Sequence, residues 1–196
     1  MAIEVLQTYT PNIVPYAIHS MRSVGAYAMR NGYDYNARCM TECPPYWGKV
    51  YAMLESRAEW IFYVDCDVLV QHHNVKVESF MESMKPQHLI GVCDDLCNGG
   101  TINCGVLLIR NTPAFKHLCR QWIQYGIDAQ FTRSALYDQD ALRAMMSVKA
   151  VSDSVCVFPN ATFNSNGVGP IPSSYFIAHY MARSLSDRLW DMVAGS

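Results

Sequence analysis

Charge is scarce in this sequence. Asp, Glu, Lys and Arg make up 16% of its 196 residues, against 51% hydrophobic residues, and the net charge is −2. Such a chain is too apolar to be disordered and has ample material for a sizeable core. There is no run of Lys or Arg, so the electrostatic footprint of a nucleic-acid binder is missing. No apolar run approaches the length of about 18 residues that a membrane span needs. The first residues, Met1-Ala2-Ile3-Glu4-Val5-Leu6, carry an acid and no basic region, unlike a signal peptide. The expectation is a cytoplasmic protein, or a catalytic domain cut from a longer chain. Repeats, low-complexity tracts and linkers are also absent, which predicts one domain over 1–196.

Cysteine is not scarce: there are eight. Several sit in apolar contexts, such as Cys66, Cys104 and Cys156, where a free thiol behaves as a small hydrophobe. Reduced thiols in a cytoplasm are expected. Two pairs, Cys39/Cys43 and Cys93/Cys97, have spacing that a structural zinc could use, which keeps open a zinc-stapled binding module.

The informative stretch is Trp60-Ile61-Phe62-Tyr63-Val64-Asp65-Cys66-Asp67-Val68-Leu69-Val70. Five apolar residues of mostly β-favouring type run into two carboxylates. An uninterrupted run of this kind predicts a strand buried on both faces of an α/β sheet. Unpaired carboxylates are costly inside a sheet, so Asp65 and Asp67 mark the strand's carboxyl end. Ligands bind at that edge in open α/β sheets. If the backbone stays extended there, the two carboxylates point to one side and Cys66 points back toward the protein. Two convergent carboxylates suit a hard divalent cation that keeps positions open for phosphate oxygens.

Elsewhere the chain reads as alternating strands and helices. Ile3–Tyr9 predicts a strand, followed by a helix from about Asn12 that Asn31-Gly32 stops. A second strand at 33–37 completes a β-α-β opening, which predicts parallel pairing. A helix from Trp47 precedes the central strand. Helices are expected at 75–84, 113–125, 141–147 and 186–193. Strands are expected at 88–93, 101–109 (interrupted at Asn103-Cys104-Gly105), 155–159 and 175–180. Residues 94–100 and 160–174 read as polar loops.

Taken in order, these segments resemble the GT-A glycosyltransferases, particularly the retaining families 8 and 34. Trp47-Gly48-Lys49 looks like their Trp-x-Lys helix start, and Trp60 to Asp67 like their strand and DxD motif. Asn103-Cys104-Gly105 looks like their Asn-x-Gly strand, and Asp138-Gln139-Asp140-Ala141-Leu142 like their Asp-Gln-Asp-x-Leu signature. Ile177-Ala178-His179-Tyr180 resembles their C-terminal His segment. The resemblance implies a GT-A, Rossmann-like fold with a mixed, mainly parallel sheet flanked by helices. Residues 1–110 would form the nucleotide-binding half and 111–196 the acceptor and closing half.

It also implies a sugar transfer from a UDP-sugar donor to a glycan or glycoprotein hydroxyl, with retention of anomeric configuration. Mn²⁺ or Mg²⁺ would be held by Asp65, Asp67 and His179, the imidazole tilting the choice toward Mn²⁺. Asp138 and Gln139 would be catalytic. Thr8 and Tyr9 would contact the uridine, and Lys49 the donor or its phosphates. Cys66 counts with the donor-binding residues. Asp94, Asn103 and Asp138 would bond sugar hydroxyls. Retention could proceed by double displacement on Asp138, or front-side with the leaving diphosphate as base. The family's C-terminal Gly is replaced by Ala182, and the nearest cation is Arg183, which is assigned to the donor. A sugar-nucleotide nucleotidyltransferase is the other enzymatic reading. It wants a Gly-rich, cationic first loop, and Gln7-Thr8-Tyr9-Thr10-Pro11 has neither feature.

Overall fold

A computed structural model describes residues 1–95, 102–129, 137–166, 171–181 and 183–195. The first strand, β1 (Ile3–Tyr9), leads through a short 3₁₀ turn into α1 (Val14–Asn31). Gly32 ends that helix at φ +73°, a left-handed position that glycine takes without penalty. Next come β2 (Asp34–Cys39) and α2 (Gly48–Glu55). The central strand is β3 (Trp60–Val64), followed by β4 (Val68–Val70), α3 (Glu78–Met81) and β5 (Ile90–Cys93). Then follow β6 (Asn103–Arg110), α4 (Pro113–Asp128), α5 (Asp138–Met145), α6 (Lys149–Ser152) and β7 (Val155–Phe158). The chain continues through β8 (Ser165–Asn166), β9 (Ile177–His179) and α7 (Leu185–Gly195).

Six strands form one sheet in the order β2-β1-β3-β6-β5-β7. Three of its pairings are parallel (β1/β2, β1/β3 and β5/β7), and the two that involve β6 are antiparallel. The expected β-α-β opening is present. β3 is buried along its whole length, and its side chains alternate between two cores. Ile61 and Tyr63 pack with Trp47, Met53, Phe115 and Trp122 beneath α2, α4 and α5. Trp60, Phe62 and Val64 pack with Val24, Tyr27, Phe163 and Phe176 on the α1 side. This period of two makes the five-residue apolar run double-faced.

Three strands, β4-β9-β8, form a second sheet. The stretch from Trp60 to Val70 is therefore not one strand. It leaves the large sheet after Val64, turns through Asp65–Asp67, and enters the small one at Val68. Val68 pairs with His179, and α7 closes over this sheet through Tyr16, Leu69, Tyr180 and Met192.

The interruption read at Asn103–Gly105 is a register shift. Val92 pairs with Leu107, but Cys93 pairs with Asn103, so Cys104 to Val106 are surplus on the β6 side. A bulge frees backbone groups from the ladder. Here it releases the Cys104 and Gly105 amides and the Cys104 carbonyl toward side chains of the site. Several helices differ in extent from the sequence reading, among them α4, which runs on to Asp128. The helix expected over 75–84 is only one turn, Glu78–Met81, and α5 begins at Asp138 rather than after Asp140.

The sheet order also bears on the cysteines. β2, which ends at Cys39, lies four positions from β5, which ends at Cys93. That is about 19 Å of sheet at the usual strand spacing. Cys93 is fully buried, and burial pushes its thiol up to about 12. Cys97 lies outside the described residues. A zinc staple joining Cys39 and Cys43 to Cys93 has no geometric basis. Among the described residues no helix is long and apolar enough to cross a membrane.

Candidate active site

A cavity of about 680 Å³ opens where β1 and β3 end side by side. Neighbouring strands here run from β1 outward to β2 on one side and to β3 on the other, the crevice position that open α/β sheets use for ligands. Thr8, Tyr9, Lys49, Asp65, Cys66, Asp67, Asn103, Asp138, Gln139 and His179 all line it. Most residues singled out in the sequence therefore share one wall.

Two backbone bonds pin the Asp65–Asp67 turn. The Asp65 N–H donates to the Gly105 carbonyl at 2.7 Å, and the Tyr180 N–H donates to the Asp67 carbonyl at 2.8 Å. Ligand atoms of Asp65, Asp67 and His179 come within 4.8 Å of one another. The convergence comes from a turn clamped between two sheets, not from the pleat of one extended strand. Cys66 does point inward, as expected, and burial raises its thiol pKa.

Burial pushes the Asp67 carboxyl up, but His179 and Arg188 outweigh it and hold the group at about 2. His179 Nε2 lies 3.2 Å from Asp67 Oδ1, and Arg188 lies 3.4 Å from Asp67 Oδ2. Gly105 makes room for the ring. A Cβ there would stand 2.2 Å from His179 Cε1, so no other residue fits without displacing the imidazole.

Lys49 is the second anchor. Its side chain is buried and its Nζ reaches Asp65 Oδ1 at 3.1 Å, the Cys104 carbonyl at 3.1 Å and Asp138 Oδ2 at 3.4 Å. The contact to Asp138 is an ion pair without hydrogen-bond geometry, and Asp138 Oδ2 has no hydrogen-bond partner. Burial acts to lower the Lys49 pKa, but Asp138 and Asp65 raise it on balance, so the ammonium is permanent. The Tyr63 hydroxyl donates to Asp65 Oδ1 at 2.7 Å and shares a bond of 3.0 Å with Thr8 Oγ1.

Asp138 and Gln139 open α5, whose first turn points at the bulge. Gln139 Oε1 accepts from the Cys104 N–H at 2.8 Å, and its Nε2 donates to Asp95 Oδ2 at 3.3 Å. The Gln139 amide is thus fixed at both ends. Asp138 is 2% exposed, and its carbonyl accepts from Trp122 Nε1 at 2.8 Å. Burial, opposed by Lys49 and assisted by Asp65, raises its carboxyl to about 6. Tyr137, just before it, sits at φ +41° and stacks on Tyr46 at 4.1 Å. A bulky residue in that region marks stored strain.

Two sequence assignments lie off the cavity wall. Arg183 pairs with Asp191 and lies over the Tyr180 ring. Arg188, in the first turn of α7, takes the place on the wall, donating to the Tyr16 hydroxyl at 3.0 Å and the Tyr180 carbonyl at 3.1 Å. Asp94 also stands off the wall, its backbone bonded to Phe158 and Asn160. It is Asp95, fully buried, that meets Gln139. Ala182 and the 96–101 segment lie outside the described residues. Arg188, Tyr63 and Asn164 were not singled out in the sequence. Tyr63 alone carried a signal, a hydroxyl inside the apolar run.

No family profile and no curated protein matches this sequence. Solved structures do. One is a glycosyltransferase involved in glycosylation of the major capsid of PBCV-1, at 17% identity and TM-score 0.80, covering 98% of this chain and all of that one. Another is the galactosyltransferase LgtC in complex with donor and acceptor sugar analogs, at 15% identity and TM-score 0.64, covering 98% and 95%. A third is a mutant of Drosophila β1,4-galactosyltransferase 7 in complex with manganese, UDP-Gal and xylobiose, at 10% identity and TM-score 0.53, covering 93% and 72%. This chain has the mixed, mainly parallel α/β architecture of the GT-A glycosyltransferases.

Proposed function

We propose that this chain is a divalent-metal-dependent glycosyltransferase. It moves a sugar from a UDP-sugar to a hydroxyl of a glycan or glycoprotein acceptor, with retention of anomeric configuration. The observation that carries this reading is the Asp65–Asp67–His179 cluster on the wall of the cavity, in this fold. The residues fit a cation: two carboxylates and an imidazole converge, and an imidazole nitrogen faces a carboxylate oxygen at 3.2 Å. Two oxygens and one nitrogen favour Mn²⁺ over Mg²⁺. Such an ion neutralises charge that builds on a leaving diphosphate. Manganese with UDP-Gal in one structural neighbour, and a donor sugar analog in another, support the same donor class.

The chain's own residues then divide the work. Thr8 and Tyr9 receive the uridine at the end of β1. Arg188 rather than Arg183 faces the diphosphate, because it is on the cavity wall and a guanidinium can bond two phosphate oxygens at once. Asn103 offers a sugar hydroxyl its Nδ2, which meets the Met181 sulfur at 3.2 Å. Gln139, bonded at both ends, holds its position beside the reacting carbon. Its oxygen is already engaged, which leaves Asp138 as the carboxylate for a double-displacement route. We read 1–196 as one catalytic domain. The half after 110 closes the cavity with His179 and Arg188.

The test is release of UDP from a panel of UDP-sugars in Mn²⁺. Release from at least one UDP-sugar is expected. Turnover only of GDP- or ADP-sugars, or of none, contradicts the reading. A pH profile follows from Asp138. Its carboxyl must ionise to serve the reaction, so kcat/KM rises with pH through about 6 and then levels. Asp138→Asn should lose both the transfer and this limb while UDP binding persists. A profile that stays flat between about pH 5 and 7 removes Asp138 from the chemistry.

A further inference from the structure

His179 has a different partner on each ring nitrogen. Nε2 faces Asp67 Oδ1, and Nδ1 lies 3.0 Å from Asn164 Oδ1. The direction of the second contact can be traced to a backbone group. The Gly105 N–H, freed by the bulge in β6, meets Asn103 Oδ1 at 2.9 Å. A backbone N–H can only donate, so Asn103 presents its oxygen there. Asn164 turns its Nδ2 to that same oxygen at 2.9 Å. The remaining end of Asn164 is its oxygen, and it faces His179. An amide oxygen only accepts, so Nδ1 must carry a proton.

Asn164 is completely buried, His179 is 3% exposed and Asn103 is 4% exposed. Reversing either amide would set two oxygens or two N–H groups face to face, which is costly in a buried network. The proton on Nδ1 is retained whether Nε2 is bare, protonated or bound to a cation.

We propose that Asn164 is a positioning residue. The relay from Gly105 through Asn103 and Asn164 holds His179 in the Nδ1–H tautomer and aims the Nε2 lone pair at the space shared with Asp65 and Asp67. Metal-ligating histidines generally have their second nitrogen held in this way. Here the hold ends on a backbone amide, which cannot rotate or titrate. Gly105 thus acts twice, supplying the N–H that starts the relay and lacking the Cβ that would strike the ring. The tautomer stands on the geometry alone; its purpose rests on the metal-dependent reading above.

Long-range ¹H–¹⁵N NMR of the metal-free protein reads the tautomer directly, with the His179 signals identified among the six histidines by their loss in His179→Gln. A pyrrole-type Nδ1 is expected, and a pyridine-type Nδ1 overturns the relay. Asn164→Leu removes the acceptor. It should leave Nδ1 without its proton and Nε2 protonated toward Asp67, and weaken Mn²⁺ binding, followed by EPR, by roughly 10- to 100-fold. Asn164→Asp keeps an oxygen toward Nδ1 and should keep the tautomer. A folded Asn164→Leu protein with the wild-type tautomer and Mn²⁺ affinity overturns the proposal. If that variant does not fold, loss of the tautomer in Asn164→Asp overturns it instead. Wild-type protein with a pyrrole-type Nδ1 but no Mn²⁺ binding would sink the metal reading and leave the tautomer standing.

Discussion

Asp67→Asn is expected to cut sugar transfer by about a thousandfold or more, a loss typical of removing a group that stabilises developing charge. The fold should survive. The Asp67 carbonyl, which accepts from the Tyr180 N–H and extends the β4/β9 ladder, is untouched by the change. The side chain keeps its size but loses the charge that faces both His179 and Arg188. An amide is a poor ligand for a divalent cation beside a single remaining carboxylate. Initial rates with a UDP-sugar, together with a thermal melt, separate the two effects. Near-normal turnover in a folded variant would defeat the assignment of Asp67.

The same carboxylate makes stability depend on pH. Its folded-state pKa is depressed, to about 2 from 3.8. The stability this contributes is full above the unfolded value and is lost as pH falls toward about 2. It is therefore constant across the range in which transfer would be assayed.

Lys49→Met is expected to cost the protein substantial stability. The ammonium is enclosed with Asp65, Asp138 and the Cys104 carbonyl, and it keeps two carboxylates from facing each other unscreened. Removing one member of a buried ion pair costs about 3–5 kcal/mol. The Asp65 side chain is 28% exposed and also receives the Tyr63 hydroxyl, so the lower end applies, about 3 kcal/mol. For a chain of this size that is a fall in Tm of roughly 6–12 °C. The Asp138 carboxyl, with its principal counter-charge gone, should titrate above its present value of about 6. The rising limb of the pH–rate profile would shift upward with it. An unchanged melting temperature and an unmoved limb would remove Lys49 from the support of Asp65 and Asp138.

Much of this architecture was legible from local patterns. The run from Trp60 to Val64 announced a doubly buried strand because both of its faces are apolar, and alternating packing into two cores is the result. Asp65 and Asp67 were legible as a strand end because charge does not stay inside such a sheet. How they converge was not legible. It depends on a second sheet, whose strands β8 and β9 come from a loop and a short segment far away in the chain.

The same reason hid Asn164 and Arg188. Asn164 looked like one of several loop asparagines, and Arg188 like an ordinary surface residue of an amphipathic helix. Only packing of β9 and α7 against the Asp67 turn puts them in the site. Arg183 was favoured by its nearness to His179 in sequence, but it precedes α7 and pairs with Asp191 of that helix. The bulge at Cys104–Val106 could be suspected from Gly105. That it hands its backbone groups to Lys49, Gln139 and Asn103 could not.

Calorimetric titration with UDP, with and without Mn²⁺ and beside GDP and ADP, asks whether the cavity at the end of β1 and β3 holds a uridine diphosphate through a divalent cation. UDP is expected to bind only with Mn²⁺ present, and GDP and ADP far more weakly. Failure of every nucleotide to bind in Mn²⁺, or UDP binding that is undiminished without it, would rule out the metal-dependent UDP site.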